Sequence, residues 1–283
     1  MGMASYTAAE RAINIIGLAI NYDLSDLQER TEESLRIHQR AIFDRLEYFG
    51  EHHTSNHLAN NGRGLYFLGV YLKNKNYAEI GRDILLMEAK RIFLPSGILR
   101  EGSSHYHLLL TRNYLSAWLF AKKYNRPESN DLKTIAEKAL AVIPALFLSG
   151  GMPLIGDISP DCSPQYLHSL IELEGGWYDT LSEPDKASYK ELKNNCLPID
   201  QKKLTADGWL RFDHHKWSGL WHMPELGWSH MPGHGHQDCG SFELHYENEK
   251  IFIDPGRGSY GETGRAAEYL SAIRHNTVVI DDL

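Results

Sequence analysis

The chain has 283 residues, enough for one large or two medium domains at roughly 150 residues each and for a core that needs no disulfide staple. Hydrophobic residues at 42% and charged residues at 23% exclude a disordered chain. A balance of 29 Lys+Arg against 37 Asp+Glu, net −8, argues against a general binder of nucleic acid or anionic membrane, and Cys162, Cys196 and Cys239 fit no CxxC or paired framework.

In chain order, the first 200 residues read as helices. The N-terminus shows no basic, apolar signal-peptide pattern and no myristoylation motif. A helix is expected over Leu27–Phe49, opened by a capping box from Ser25 to Gln28 and closed at Gly50. Further helices are expected at about Leu58–Lys73, Tyr77–Phe93, His105–Tyr124 and Leu132–Leu148, separated by clusters such as Pro95-Ser96-Gly97 and Asn125-Arg126-Pro127. Short connections between amphipathic helices predict antiparallel pairs packed side by side. The uncharged run Ala139–Gly156 holds Pro144, Pro153 and a Ser-Gly-Gly break, and so reads as a short buried helix with a turn after it rather than a membrane span.

The texture changes near Thr205. Four of the six tryptophans, Trp209, Trp217, Trp221 and Trp228, fall within twenty residues, most of them expected in core packing. Ser241–Tyr246 alternates, Glu247-Asn248-Glu249 turns and Ile251–Ile253 follows, which predicts a hairpin; Asn276–Ile280 reads as another strand. The expected organisation is a helical domain over 1–203 and the start of an antiparallel β domain over 204–283. With too few strands to close a sheet, the chain reads as part of a longer protein.

Three places concentrate chemistry. Seven of the 15 histidines lie between His214 and His245, centred on Gly233-His234-Gly235-His236-Gln237-Asp238. A His-x-His pair on an extended segment points both rings one way, as two metal ligands or a ligand beside a base require. Asp254 and His275 follow at strand ends, and His236, Asp254 and His275 together make a His/Asp/His set suited to zinc; the plain alternative is a solvated polar loop. In the helical half, His53, Asn56, His57, Asn60 and Arg63 share one helix face without the Glu/Lys pairs of a solvated surface. Third, Tyr106 stands between His105 and His107 in Glu101-Gly102-Ser103-Ser104-His105-Tyr106-His107, a candidate proton donor where a lone tyrosine would be core.

These segments resemble the heparinase II/III family of polysaccharide lyases. The resemblance runs through Ser55–Asn60, Glu101–His107, Gly150–Asp161 with its Ile155-Gly156-Asp157, Gly233–Asp238 through Phe242, Ile253–Gly256 and Arg274–Thr277, in the family's order from about Asn56 onward. It implies an incomplete α/α toroid of helix pairs followed by an antiparallel β-sandwich, here truncated, with an acidic polysaccharide bound in the cleft between them. It also implies β-elimination at a uronic acid. Asn56, with His57 as its helper, matches the carboxylate-neutralising group, and Tyr106 and His234 match the acid/base residues. A tyrosine of pKa about 10 is a poor base but protonates a leaving oxygen readily, so His234 is read as base and Tyr106 as acid, unless the proton lies on the sugar's other face, where Tyr106 serves as both. His236, Asp254 and His275 match a mainly structural zinc site. Tyr260, Arg63, Arg265 and Arg274 are the candidate substrate contacts.

Family members are often exported, a pattern that this N-terminus does not show, so the sequence leaves the compartment open. Residues 204–283 carry 6 Lys+Arg against 12 Asp+Glu, which suits a lightly charged uronate polymer better than heparin. Two rivals stand beside the lyase. One is a zinc hydrolase, since His234-x-His236-x-Asp238 is similar to the HxHxDH motif but has Cys239 where the last His belongs. The other is an inactive carbohydrate-binding or assembly protein, against which the joint presence of Asn56, Tyr106 and His234 argues. A glycoside hydrolase would need two carboxylates, for which Glu101 and Asp157 are the obvious pair.

Overall fold

The computed structural model describes residues 4–23, 25–50, 55–223, 233–261 and 263–280. Helices come first: α1 (Ser5–Asn21), α2 (Gln28–Phe43), α3 (Asn56–Tyr71), α4 (Lys75–Ile92), α5 (Ser104–Lys123), α6 (Ser129–Leu146), α7 (Pro164–Glu172), α8 (Gly176–Asp179), α9 (Glu183–Asn195) and α10 (Gln201–Ala206). Four strands follow, β1 (Trp209–His214), β2 (Trp217–His222), β3 (Ser241–Tyr246) and β4 (Glu249–Phe252), and then α11 (Arg265–Glu268). The expected order, helices and then an antiparallel sheet, is the one observed. Among the described residues no helix is long and apolar enough to cross a membrane.

The chain divides into two compact units, residues 1–92 with 113–135, and residues 93–112 with 136–283. In the first, α3 packs on α4, α1 and α2. Ser55 caps α3, its hydroxyl accepting from His57 N at 3.3 Å, and Leu58, Leu65, Tyr66 and Leu68 turn into the core. Gly81 of α4 lets the backbones of α3 and α4 approach closely: a Cβ there would meet Tyr66 N at 2.3 Å.

The helix expected over Leu27–Phe49 ends at Phe43. Beyond it the Glu47 N–H bonds Asn61 Oδ1 at 2.9 Å, so the chain leaves the helix to reach α3. The expected capping box does not form. Ser25–Leu27 is a single tight turn, Ser25 N bonds Asp23 Oδ1 at 3.0 Å, and α2 begins without a side-chain cap.

In the second unit the sheet is a simple meander, β1-β2-β3-β4, all antiparallel. Its hairpins turn at His215-Lys216 and Glu247-Asn248, with His215 and Glu247 in the left-handed region at φ 53°. The predicted Ser241–Tyr246 hairpin is β3–β4. The tryptophan cluster resolves into the β1–β2 hairpin, where Trp209 is buried and Trp217 and Trp221 half-buried; Trp228 lies outside the described residues. One sheet face is polar yet covered. Ser218, Glu243 and His245 on it pin the 149–154 segment, through Ser149 N to Ser218 Oγ at 2.9 Å, Gly150 N to His245 Nδ1 at 3.1 Å and Leu154 N to Glu243 Oε1 at 3.4 Å.

That covered face carries a pH consequence. His245 accepts at Nδ1, so its proton sits on Nε2 facing Glu243 Oε2 at 3.1 Å, and burial holds the imidazole neutral. Burial pushes the Glu243 carboxyl up to about 7. A raised folded pKa means that its share of stability is complete below pH 4.5 and is lost as pH rises through 7. We expect that share to be on the order of 3 kcal/mol. Urea unfolding between pH 4 and 8 measures it, with Glu243→Gln flattening the profile.

Residues 276–280, expected as a strand, run as irregular chain. The Asn276 amide donates to Phe242 O at 2.9 Å and Ile253 O at 3.0 Å, tying the segment to strand ends through a side chain, and Val278 and Ile280 face solvent.

Candidate active site

The site in the second unit is built where three loops cross: the turn before α5, the segment after Leu154, and residues 233–236. Backbone bonds join them, His234 N to Glu101 O at 3.0 Å, Asp157 N to His234 O at 2.8 Å and Ser104 N to Ile155 O at 3.0 Å. Ser103 adds a hydroxyl that donates to Asp157 O at 2.7 Å and accepts from Tyr106 N at 3.0 Å, starting α5 in a fixed register.

At this crossing the rings of Tyr106 and His234 stack face to face, centroids 3.4 Å apart and planes 15° from parallel. The Tyr106 hydroxyl lies 3.2 Å from that of Tyr260, which bonds Ile158 O at 3.1 Å. Burial first of all pushes the Tyr106 phenol up, with Asp157 and Glu101 adding to the rise and the hydroxyls of Tyr260 and Ser159 opposing it. Its proton therefore stays on.

His105 and His107 do not flank Tyr106 as chemistry. His107 Nδ1 accepts from Leu99 N at 3.1 Å and its Nε2–H donates to Ala139 O at 3.0 Å; His105 Nδ1 accepts from Ser159 N at 3.1 Å. Burial pulls each imidazole down to about 4, so both are neutral fasteners of backbone.

Asp157 is the hub. Its Oδ2 receives His234 Nδ1 at 3.0 Å, its Oδ1 receives His236 Nε2 at 2.8 Å, and Arg257 reaches both oxygens at 2.8 and 3.1 Å. Burial alone would raise this carboxyl, but the bonds from His234, His236 and Arg257 outweigh it and hold Asp157 well below the usual carboxylate range. Both histidines of the His-x-His pair thus meet one carboxylate. Glu101 lies on the other edge of His234, 3.5 Å from Nε2. Glu101 and Asp157 therefore share an imidazole. Sequence reasoning missed Arg257, whose place directly after Asp254-Pro255-Gly256 was the available signal.

The three metal candidates fall close together. His275 Nδ1 is 2.8 Å from Asp254 Oδ2, its Nε2 faces Tyr269 O at 3.0 Å, and its ring centroid is 5.1 Å from that of His236. An ionised carboxylate can only accept, so His236 carries its proton on Nε2 toward Asp157 and leaves Nδ1 as a buried lone pair with no partner. Among the described residues no three His, Cys, Asp or Glu side chains already form a metal-holding group. The donor set nonetheless suits zinc: the His236 Nδ1 lone pair is unspent, and a metal could replace the proton between His275 and Asp254.

Asn56, His57 and Arg63 lie in the other unit, all on α3; His53 falls outside the described residues. Asn56 is buried at the helix start, and His57 is half-exposed with Nδ1 2.9 Å from Glu47 Oε1. Glu47, which the sequence did not single out, also accepts from Ser5 Oγ at 2.8 Å and Asn61 Nδ2 at 3.1 Å. Arg63 is wholly enclosed and bonded to Glu10 at 2.6 Å and to Asn113, a bond between α-helices rather than a hand held out to solvent. Arg265 and Arg274 are exposed, and Arg274 pairs with Glu268.

Helices lead into an antiparallel sheet, and crossing loops set Tyr106 against His234. Residues 198–283 match the family model described as heparinase II/III-like, C-terminal. Over 99% of the chain the fold is similar to the crystal structure of heparinase III, at TM-score 0.72 and 16% identity, covering 47% of that chain. It is similar over 98% to heparan sulfate lyase HepC from Pedobacter heparinus, at TM-score 0.64 and 17% identity, covering 45% of that chain. The chain thus spans less than half the length of these structures. No curated protein matches the sequence.

Proposed function

We propose that this chain carries catalytic residues of a polysaccharide lyase that cleaves uronic-acid-containing polymers by β-elimination. The observation that carries the reading is the stacked Tyr106–His234 pair, two proton-transfer side chains in contact, one aligned by a buried carboxylate and the other holding its proton. The C5 proton passes to His234 Nε2, the C4–O bond breaks, the electron pair left at C5 becomes the C4=C5 double bond, and Tyr106 gives its proton to the departing glycosidic oxygen. Each positioned transfer contributes roughly 10²–10⁴-fold.

The C5 proton is weakly acidic because the adjacent carboxylate is already negative, so that charge must be neutralised as it grows. Asn56 is assigned this role, aided by His57. Tyr260, Arg265 and Arg274 are assigned to substrate contact. The likeness to heparinase III and to a heparan sulfate lyase supports a glycosaminoglycan-like substrate class. The acidic 204–283 segment favours a polymer of low sulfation.

The test is incubation with a panel of uronic-acid polysaccharides, following the ultraviolet absorbance of the unsaturated product. A rise supports the lyase. Reducing ends without absorbance would indicate a hydrolase, and binding without either product a carbohydrate-binding protein.

Zinc belongs to the same proposal, held by His236, Asp254 and His275, where it would tie the 236 loop to the strand ends as a structural ion. Elemental analysis is expected to find one zinc per chain, lost in His275→Ala, and chelation is expected to lower the melting temperature by several degrees. Protein free of zinc with an unchanged melt would refute it.

A further inference from the structure

We propose that Asp157 and Arg257 form a positioning pair that orients both proton-transfer residues: Asp157 receives the Nδ1–H of His234 and leaves Nε2 as its basic atom, while Arg257 holds Asp157 and packs on the tyrosine that aligns Tyr106. This rests on the roles given above to His234 and Tyr106.

The geometry is continuous. Asp157 Oδ2, 3.0 Å from His234 Nδ1, can only accept, so an imidazole with one proton carries it on Nδ1. Arg257 grips the same carboxylate at 2.8 and 3.1 Å, and its Nε donates to Ser259 O at 3.1 Å, so the guanidinium is itself held. Its carbon stands 4.1 Å from the centre of the Tyr260 ring. Tyr260 spends its proton on Ile158 O at 3.1 Å, since a carbonyl only accepts; its oxygen is then the acceptor for Tyr106 O–H at 3.2 Å. One ion pair thereby sets the direction of His234 Nε2, which Glu101 approaches at 3.5 Å, and of the proton on Tyr106. His236 Nε2, on Asp157 Oδ1 at 2.8 Å, is the third group on that carboxylate.

The test combines tautomer and kinetics on the full chain. Nitrogen-15 spectra of histidine-labelled protein, with the His234 signals identified by their loss in His234→Gln, are expected to show the Nδ1–H form. Asp157→Asn is expected to shift His234 toward Nε2–H and to lower kcat by roughly 10²–10⁴-fold with KM within about threefold. Arg257→Gln, which keeps a polar side chain beside Asp157, should loosen the tautomer, and Arg257→Lys should restore most of it. An unchanged His234 tautomer in both Asp157→Asn and Arg257→Gln overturns the proposal, as does Arg257→Lys raising KM alone, which would make Arg257 a substrate grip. If the unaltered chain eliminates no uronate polymer, the lyase reading fails while the tautomer spectra still decide the positioning pair.

Discussion

Tyr106→Phe is expected to lower kcat on a uronate polymer by roughly 10²–10⁴-fold while leaving stability within about 1 kcal/mol of the unaltered chain. The two predictions separate because the tyrosine has two parts in different surroundings. Its ring is buried and stacked on His234 at 3.4 Å, and phenylalanine keeps that contact. Its hydroxyl touches Tyr260 at 3.2 Å, and only the hydroxyl carries the proton the reaction needs. His234→Ala should cost activity at least as much, and some stability besides, because it removes the stack and a bond to Asp157. Initial rates of absorbance increase, paired with urea unfolding, check both. A Tyr106→Phe chain that retains most of its activity would remove the tyrosine from the mechanism.

Gly156→Ala is expected to destabilise the chain by about 3–5 kcal/mol, because strain and crowding fall on the same atom. Gly156 sits at φ 75°, where a side chain costs roughly 1–2 kcal/mol on its own. The added carbon would also lie 2.4 Å from Gly102 O and 2.8 Å from His234 O, both backbone atoms with no rotamer to yield. Relief would have to come from moving the loops, and with them the bond from Asp157 N to His234 O. Gly175 is the control. It has φ 66° and ψ −173°, backbone that almost only glycine adopts, but nothing within 4 Å, so Gly175→Ala should cost only the conformational part, roughly 1–3 kcal/mol. Urea unfolding of the two variants makes the comparison, and equal losses would show that crowding at the loop crossing contributes little.

These expectations draw on features of unequal visibility in the sequence. Helices α3 to α6 and the β3–β4 hairpin were legible because each is specified by residues a few positions apart: a period of apolar side chains, a cap such as Ser55, a turn at Glu247-Asn248. His234 and His236 were legible as a pair for the same reason. The strand expected at residues 276–280 was not formed, because a strand needs a partner ladder, and there the partner is the amide of Asn276 reaching two strand ends. The Ser25 capping box failed likewise, its serine committed to Asp23.

Composition, local periodicity and the ordered motifs by themselves determined that helices precede an antiparallel sheet and that Tyr106, His234, His236, Asp254 and His275 carry the chemistry worth testing. Only the tertiary structure decided how those residues are wired. Asp157 meets His234 across 77 positions and Arg257 across 100, and hydrogen bonds of that span leave no local trace. The same holds for His105 and His107, which stand beside Tyr106 in the chain but spend their nitrogens on backbone groups of distant segments. A side chain's type is local information, whereas its protonation, tautomer and burial depend on which carboxylate, carbonyl or ring the fold brings within about 3 Å.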